Sequence, residues 1–182
     1  NKATNQPQVN ALLSLMCFHA SRFAARKNEC GKVILYEDQN EALWNQELIA
    51  RGAFYLQKAA RGQTLSKYHL EASIAYWHTI KADTLEKWEN ILQLYNKLLQ
   101  LEYSPIAALN RTFALSKVKG KNVAIGEAEK LQLTNNHFYY TLLGELFREV
   151  DRDKAKQHFQ NALSLAKNQT DKETILKKIS QL

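Results

Sequence analysis

The chain has few of the residues that interrupt regular secondary structure. Its 182 residues include 6 Gly and 2 Pro, fewer than the many turns of a β-sandwich or β-barrel require. It has no Gly-rich loop of the kind that binds nucleotide phosphates. It also has no run of about 18 apolar residues and no secretory signal pattern. These absences favour a helical protein in the cytoplasm, without a membrane partner.

Cysteine and histidine are too sparse to indicate a disulfide framework or a metal site. Cys17 and Cys30 are the two cysteines, and they could pair. Cys17 lies among apolar residues, where a free thiol packs as a small hydrophobic group, and a reducing cytoplasm is the default. No two of the five histidines have metal-ligand spacing. We expect no metal, no cofactor and no catalytic residue, and hence not an enzyme.

The chain is basic, but its charge is dispersed. Its net charge is +7, from 25 Lys and Arg against 18 Asp and Glu, with the two signs interleaved. The densest basic group comprises Arg22, Arg26 and Lys27, with Lys32 close by. A DNA-binding surface concentrates positive charge on one stripe. The pattern therefore favours a solvated basic surface, with direct nucleic-acid binding as the less favoured alternative.

Apolar residues recur at helical spacing along almost the whole chain, which predicts an all-α fold. The predicted helices cover about 9–23, 41–60, 67–80, 84–101, 105–118, 122–131, 138–150, 152–167 and 170–181. Between the first two, residues 33–36 form an extended connector. Caps are predicted at Ser104, which precedes Pro105, at Asn135 or Asn136, and at Asp151. Further caps are predicted at Ser66, at Asp83 with Glu86 and at Thr170 with Glu173.

A short helical repeat organises the end of the chain. Ala155, Phe159 and Ala162 follow the A-x3-F-x2-A spacing of the second helix of a tetratricopeptide repeat. A weaker copy lies upstream at Ala124 and Ala128, and a third helix pair is expected from 68–80 and 84–101. We therefore predict antiparallel helix pairs in a tetratricopeptide-repeat-like superhelix of about nine helices. A plain helical bundle is the alternative.

Three groups of residues are candidates for function. Glu37 and Asp38, followed by Gln39, could serve acid–base chemistry, but helix capping or ion pairing with Arg22 or Arg26 is favoured. The pair Asn110-Arg111 lies within a predicted helix. It could hold a partner's backbone or carboxylate, or Asn110 could be buried against a neighbouring helix. Trp44, Tyr68 and Trp77 could line a ligand pocket.

The motifs occur in an order that resembles a known family. They are LMCFHASRFAAR, GKVILYEDQNEALWNQELIARG, YHLEASIAYWH and SPIAALNRTFALSKVKG. Together they are similar to the C-terminal extension of a subgroup of extracytoplasmic-function sigma factors of bacterial RNA polymerase. The family-typical positions are Arg22, Arg26, Glu37, Asp38, Gln39, Trp44, Leu48, Ile49, Gly52, Tyr68, Ala72, Ile74, Ser104, Pro105, Asn110 and Arg111. The sequence departs from the family at Ala20-Ser21, where Asp-Ala is usual, and at Asn45, where Asp is usual.

The resemblance implies a regulatory or interaction domain acting in transcription initiation. Its partners would be the sigma modules of the same protein, RNA polymerase or a regulatory protein, and DNA would be contacted only through those modules. Residues 1–10 would be a linker remnant, 11–101 a helical subdomain and 102–182 the repeats, as one continuous unit. The candidate interaction surface comprises Arg22, Arg26, Glu37, Asp38, Gln39, Trp44, Tyr68, Asn110 and Arg111. The alternatives are a stand-alone peptide-binding scaffold and a small-molecule sensor.

Overall fold

The computed structural model describes residues 5–28, 31 and 33–182, and this part of the chain is all-α, as predicted. Its nine α-helices are α1 (Pro7–Ala20), α2 (Gln46–Ala59), α3 (Lys67–Trp77), α4 (Leu85–Leu101), α5 (Pro105–Lys119), α6 (Lys121–Lys130), α7 (His137–Phe147), α8 (Arg152–Leu165) and α9 (Gln169–Ser180). Short 3-10 turns occur at Phe23–Ala25, Tyr36–Asp38 and Glu41–Leu43. None of the described helices is both long and apolar enough to cross a membrane.

Several helices begin where the sequence predicts, because each cap is formed by residues at the helix start itself. The Ser104 hydroxyl accepts a hydrogen bond from the Ala107 N–H at 3.5 Å, and Pro105 occupies the first helical position. The Asp151 carboxylate accepts from the Lys154 N–H at 3.0 Å, and Asn136 caps α7. Each cap satisfies a backbone donor that has no partner within the helix.

Other helix starts differ from the prediction. Helix α2 begins at Gln46 rather than near residue 41, because Asn45 accepts from the Leu48 N–H at 2.9 Å. Thr84, not Asp83, caps α4. Asn168, not Thr170, caps α9. In all three cases two residues that could cap the helix lie close together, and the sequence alone does not show which of them is the cap.

Part of the linker predicted over residues 1–10 is helical. Helix α1 already begins at Pro7, whose fixed φ suits the first turn of a helix, and Asn10 is buried. Residues 1–4, Cys30 and Lys32 lie outside the described residues. The alternative of a Cys17–Cys30 pair therefore falls outside them too.

The described residues fall into two compact units, and the first comprises those up to Lys87 together with Gln93–Glu102. In it, α1 packs against α2 and α3. Phe18 on α1 is fully buried against Gly52 on α2, where a Cβ would lie 2.6 Å from the Phe18 Cε1 atom. The Ser14 hydroxyl donates to the Gly52 carbonyl at 2.8 Å. Because α3 packs chiefly on α1, the third helix pair expected from α3 and α4 is wrong.

The second unit comprises Trp88–Leu92 and Tyr103–Leu182, and it is built from neighbouring helix pairs. Helix α5 packs on α6, and α7 packs on α8. Ala155, Phe159 and Ala162 are completely buried, as the repeat pattern predicted. Gly144 lets α7 approach α8, since a Cβ there would lie 2.6 Å from the Phe159 Cε1 atom. Small residues at these contacts thus allow the pairs to pack closely.

Candidate functional site

The segment that joins α1 to α2 is organised around the ring of Tyr36. The Trp44 ring stacks on it, with centroids 6.1 Å apart and planes at 29°. The His78 ring meets it edge-on at 5.3 Å. The Arg22 guanidinium lies 5.3 Å from the Tyr36 centroid and 6.0 Å from that of Trp44, within the range of cation–π attraction. We call this group, with Lys81 and Lys87, the Tyr36 cluster.

Lys81 fastens the 3-10 turn Tyr36–Asp38 to the segment that follows α3. Its Nζ donates to the carbonyls of Tyr36 and Glu37, each at 2.9 Å, and to that of Gln39 at 3.0 Å. An ammonium has three N–H donors, so all three are used on one short stretch of backbone. The conformation of residues 36–39 is therefore set by a side chain from beyond α3.

Lys87 supports the same cluster from the start of α4. It is 1% exposed, and its Nζ donates to the Ile80 carbonyl and, at 3.1 Å, to the Tyr36 hydroxyl. Sequence reasoning missed Tyr36, His78, Lys81 and Lys87. The sequence did contain one signal for Lys87. This lysine lies four residues before Ile91, on the apolar face of α4, and a lysine on such a face requires a buried partner.

Burial and positive charge shape the titration of the cluster. Burial, with Arg22, Lys87 and His19 as further causes, lowers the pKa of His78 to about 4, so its imidazole is neutral at pH 7. Burial, and next the Arg26 guanidinium, lowers the pKa of Arg22. The Nε of Arg22 and the Nε1 of Trp44 are buried and have no hydrogen-bond partner among the described residues.

Glu37 and Asp38 are held at the surface of this clamped turn. Both residues are exposed, whereas Gln39 is buried and donates to the Ile34 carbonyl at 3.3 Å. The predicted capping of α2 by this acidic group is wrong, because Asn45 caps that helix. The arrangement displays two carboxylates on a backbone that Lys81 holds in place.

The remaining predicted residues of the first unit lie in other surroundings. The Arg26 Nη2 atom is 3.2 Å from His19 Nδ1, and its guanidinium lies 5.4 Å from the Phe23 ring. Tyr68 lies beside Lys67 on α3, with 5.8 Å between the ammonium and the ring centroid. The structure thus brings Arg22, Gln39 and Trp44 close to Tyr36 and places Arg26 and Tyr68 in separate contacts.

Asn110 and Arg111 have different environments in the second unit. Asn110 is exposed and lies on an open groove of about 320 Å³, so the alternative of a buried Asn110 is wrong. Arg111 contacts Glu127 of α6, with 3.8 Å between Nη1 and Oε2. The groove is lined by Ile106, Leu109, Asn110, Phe113, Phe138, Thr141, Leu142 and Glu145. Of the predicted pair, Asn110 lines this groove.

Comparison with known proteins gives a family match for the first third of the chain. Residues 1–60 match the model of a family of unknown function, DUF6596. An uncharacterized protein of Rhizobium meliloti (strain 1021) is 33% identical over 171 residues, which cover 91% of this chain and 40% of that relative. The chain thus spans about 40% of the curated relative that it matches. No solved structure matches the chain.

The described residues hold no group of three or more His, Cys, Asp or Glu side chains that could bind a metal ion. The family match over residues 1–60 includes Arg22, Tyr36 and Trp44 but ends before Lys81 and Lys87. The cluster therefore joins residues of the matched segment to residues beyond it. In this cluster, stacked aromatic rings and positively charged side chains hold a surface turn that carries two carboxylates.

Proposed function

We propose that this chain is a non-catalytic regulatory and protein-interaction domain of a bacterial sigma factor, acting in transcription initiation. The resemblance of its ordered motifs to the C-terminal extension of such factors supports the class. The observation that carries the interaction role is the turn Tyr36–Asp38, where Lys81 bonds to the backbone and Glu37 and Asp38 are exposed. The partner would present basic residues to these carboxylates.

The physical reason for an interaction role is preorganisation. A flexible acidic loop loses conformational freedom when it binds, and this loss lowers affinity. Here three lysine hydrogen bonds hold the carbonyls of Tyr36, Glu37 and Gln39 before any partner arrives. Carboxylates on a surface turn act mainly through electrostatic attraction, which favours rapid and specific encounter.

The test is promoter-specific transcription with the full-length protein and purified core RNA polymerase. Removing the segment equivalent to residues 1–182 should change the transcript yield. The double variant E37K/D38K should reproduce most of that change. The matched control E89K/D153K makes the same charge change at two other exposed acids and should behave as the unmodified protein. Unchanged output on deletion of the whole segment would refute the regulatory proposal.

A second candidate, a peptide-binding helical scaffold, is favoured by the groove between α5 and α7. Its lining is apolar apart from Asn110, Thr141 and Glu145, and such grooves accept extended or helical peptides. Two results together would favour this candidate over the first. The chain would bind peptides on an array and lose that binding in Phe138→Glu, and transcription output would not depend on residues 1–182.

A further inference from the structure

Helix α1 exposes large apolar side chains along one side. Met16 is 58% exposed, Phe23 just after the helix is 63% exposed, and Leu12 is 36% exposed. Single exposed apolar residues are ordinary, but a contiguous group of them marks an interaction site. These residues are separate from the acidic turn on which the proposed function rests.

The exposed group borders a groove rather than a flat surface. The groove has a volume of about 450 Å³. Its lining residues are Leu13, Leu15, Met16, Cys17, His19, Ala20, Phe23 and Leu48. Seven of these eight come from α1 and the turn that follows it, so we call it the α1 groove.

Two arginines lie beside the α1 groove, and one exposed acid, Glu47, precedes its lining residue Leu48. Residues 5–28 contain no Asp or Glu. Arg26 lies against Phe23 at the groove edge. Arg51 is close enough to Cys17 to favour its thiolate, although burial has the larger effect and raises the pKa of the thiol. The two arginines thus place positive charge beside an apolar floor.

We propose that the α1 groove binds an amphipathic helix of a protein partner, with acidic residues flanking its apolar face. The apolar side chains of such a helix, spaced i, i+3, i+4 and i+7, would enter the groove, and its carboxylates would meet Arg26 and Arg51. A second copy of this chain fits poorly, because two copies of the groove would bring arginines together. Like charges at an interface are strongly unfavourable.

The test measures binding of a synthetic peptide by the whole chain. The probe is a helix-forming peptide of about 18 residues, five turns long, with Leu and Met on one face and Glu on both flanks. One control peptide replaces Glu by Lys, and another scrambles the same composition. Met16→Glu and Arg26→Glu should each weaken binding of the acidic peptide at least tenfold. The matched control Leu176→Glu alters another exposed apolar residue and should leave binding unchanged.

A second readout uses the thiol in the groove. In a Cys30→Ser background, the acidic peptide should slow alkylation of Cys17. E37K/D38K should leave peptide binding intact, which separates failure of this proposal from failure of the proposed function.

Four results would overturn the proposal: no binding of the acidic peptide, equal binding of the lysine or scrambled peptide, self-association that Met16→Glu abolishes, or binding of phosphatidylserine vesicles in place of the peptide.

Discussion

Gly144 offers the sharpest test of how the second unit is packed. An ideal Cβ at this position would lie 2.6 Å from Cε1 and 2.7 Å from Cδ1 of Phe159. Phe159 is completely buried, so its ring has no solvent to move into. In Gly144→Ala, therefore, α7 and α8 must separate, or the ring must leave its preferred rotamer.

The size of the effect follows from two opposing terms. Alanine is favoured over glycine within a helix by about 1 kcal/mol. Forcing an extra carbon into a packed core costs about 1–3 kcal/mol, and the contact distances put Gly144→Ala at the upper end. We expect a net loss of about 1–2 kcal/mol in the free energy of unfolding, which lowers Tm by roughly 2–8 °C.

The matched control is Gly126→Ala on α6, where a Cβ would meet no atom within 4 Å. This variant should gain up to about 1 kcal/mol. Urea denaturation of both variants measures the difference. Phe159→Leu should recover part of the stability lost in Gly144→Ala, so the double variant should be more stable than the sum of the single effects. If Gly144→Ala is as stable as Gly126→Ala, α7 and α8 do not pack as closely at Gly144 as the contact with Phe159 requires.

Three further predictions concern the first unit. Gly52→Ala, whose Cβ would lie 2.6 Å from Phe18 Cε1, should lose about 1–2 kcal/mol in urea denaturation, and a gain would contradict the close approach of α1 and α2. The folded-state pKa of His78 is about 4, below the unfolded value near 6.5. The free energy of unfolding should therefore decrease as the pH is lowered from 6.5 to 4, by up to roughly 3 kcal/mol. His78→Gln should flatten that dependence. Lys81→Met removes three hydrogen bonds to the turn and should lower the free energy of unfolding by about 1–3 kcal/mol. Hydrogen exchange at residues 36–39 should become faster. Unchanged exchange would show that Lys81 does not hold the turn.

Local signals predicted most of the helices because a helix and its cap are formed by neighbouring residues. The motif Ser104-Pro105 places a cap and a first helical residue side by side, and both occur as predicted. Asn45 departs from the resembled family, which usually has Asp, yet it caps α2 with its side-chain oxygen. Asn and Asp are comparable as capping residues, so this departure is consistent with a structural role.

The candidate site was predicted less completely, since its contacts span long sequence separations. The bond from Lys81 to the Tyr36 carbonyl joins residues 45 positions apart, and no short pattern records it. Asn110 and Arg111 are adjacent in sequence, yet one lines a groove and the other contacts Glu127. Successive residues of a helix point about 100° apart, so adjacency does not imply a shared site.

The sequence by itself determined the helical class, most helix positions and the buried alanines of α8, because each depends on spacing within a single element. Tertiary structure alone decided that Lys81 and Lys87 gather around Tyr36, that α3 packs on α1, and that Gly52 and Gly144 face phenylalanine rings. These outcomes depend on how whole helices fill space against one another. Close packing selects one arrangement from the many that the same periodicity allows.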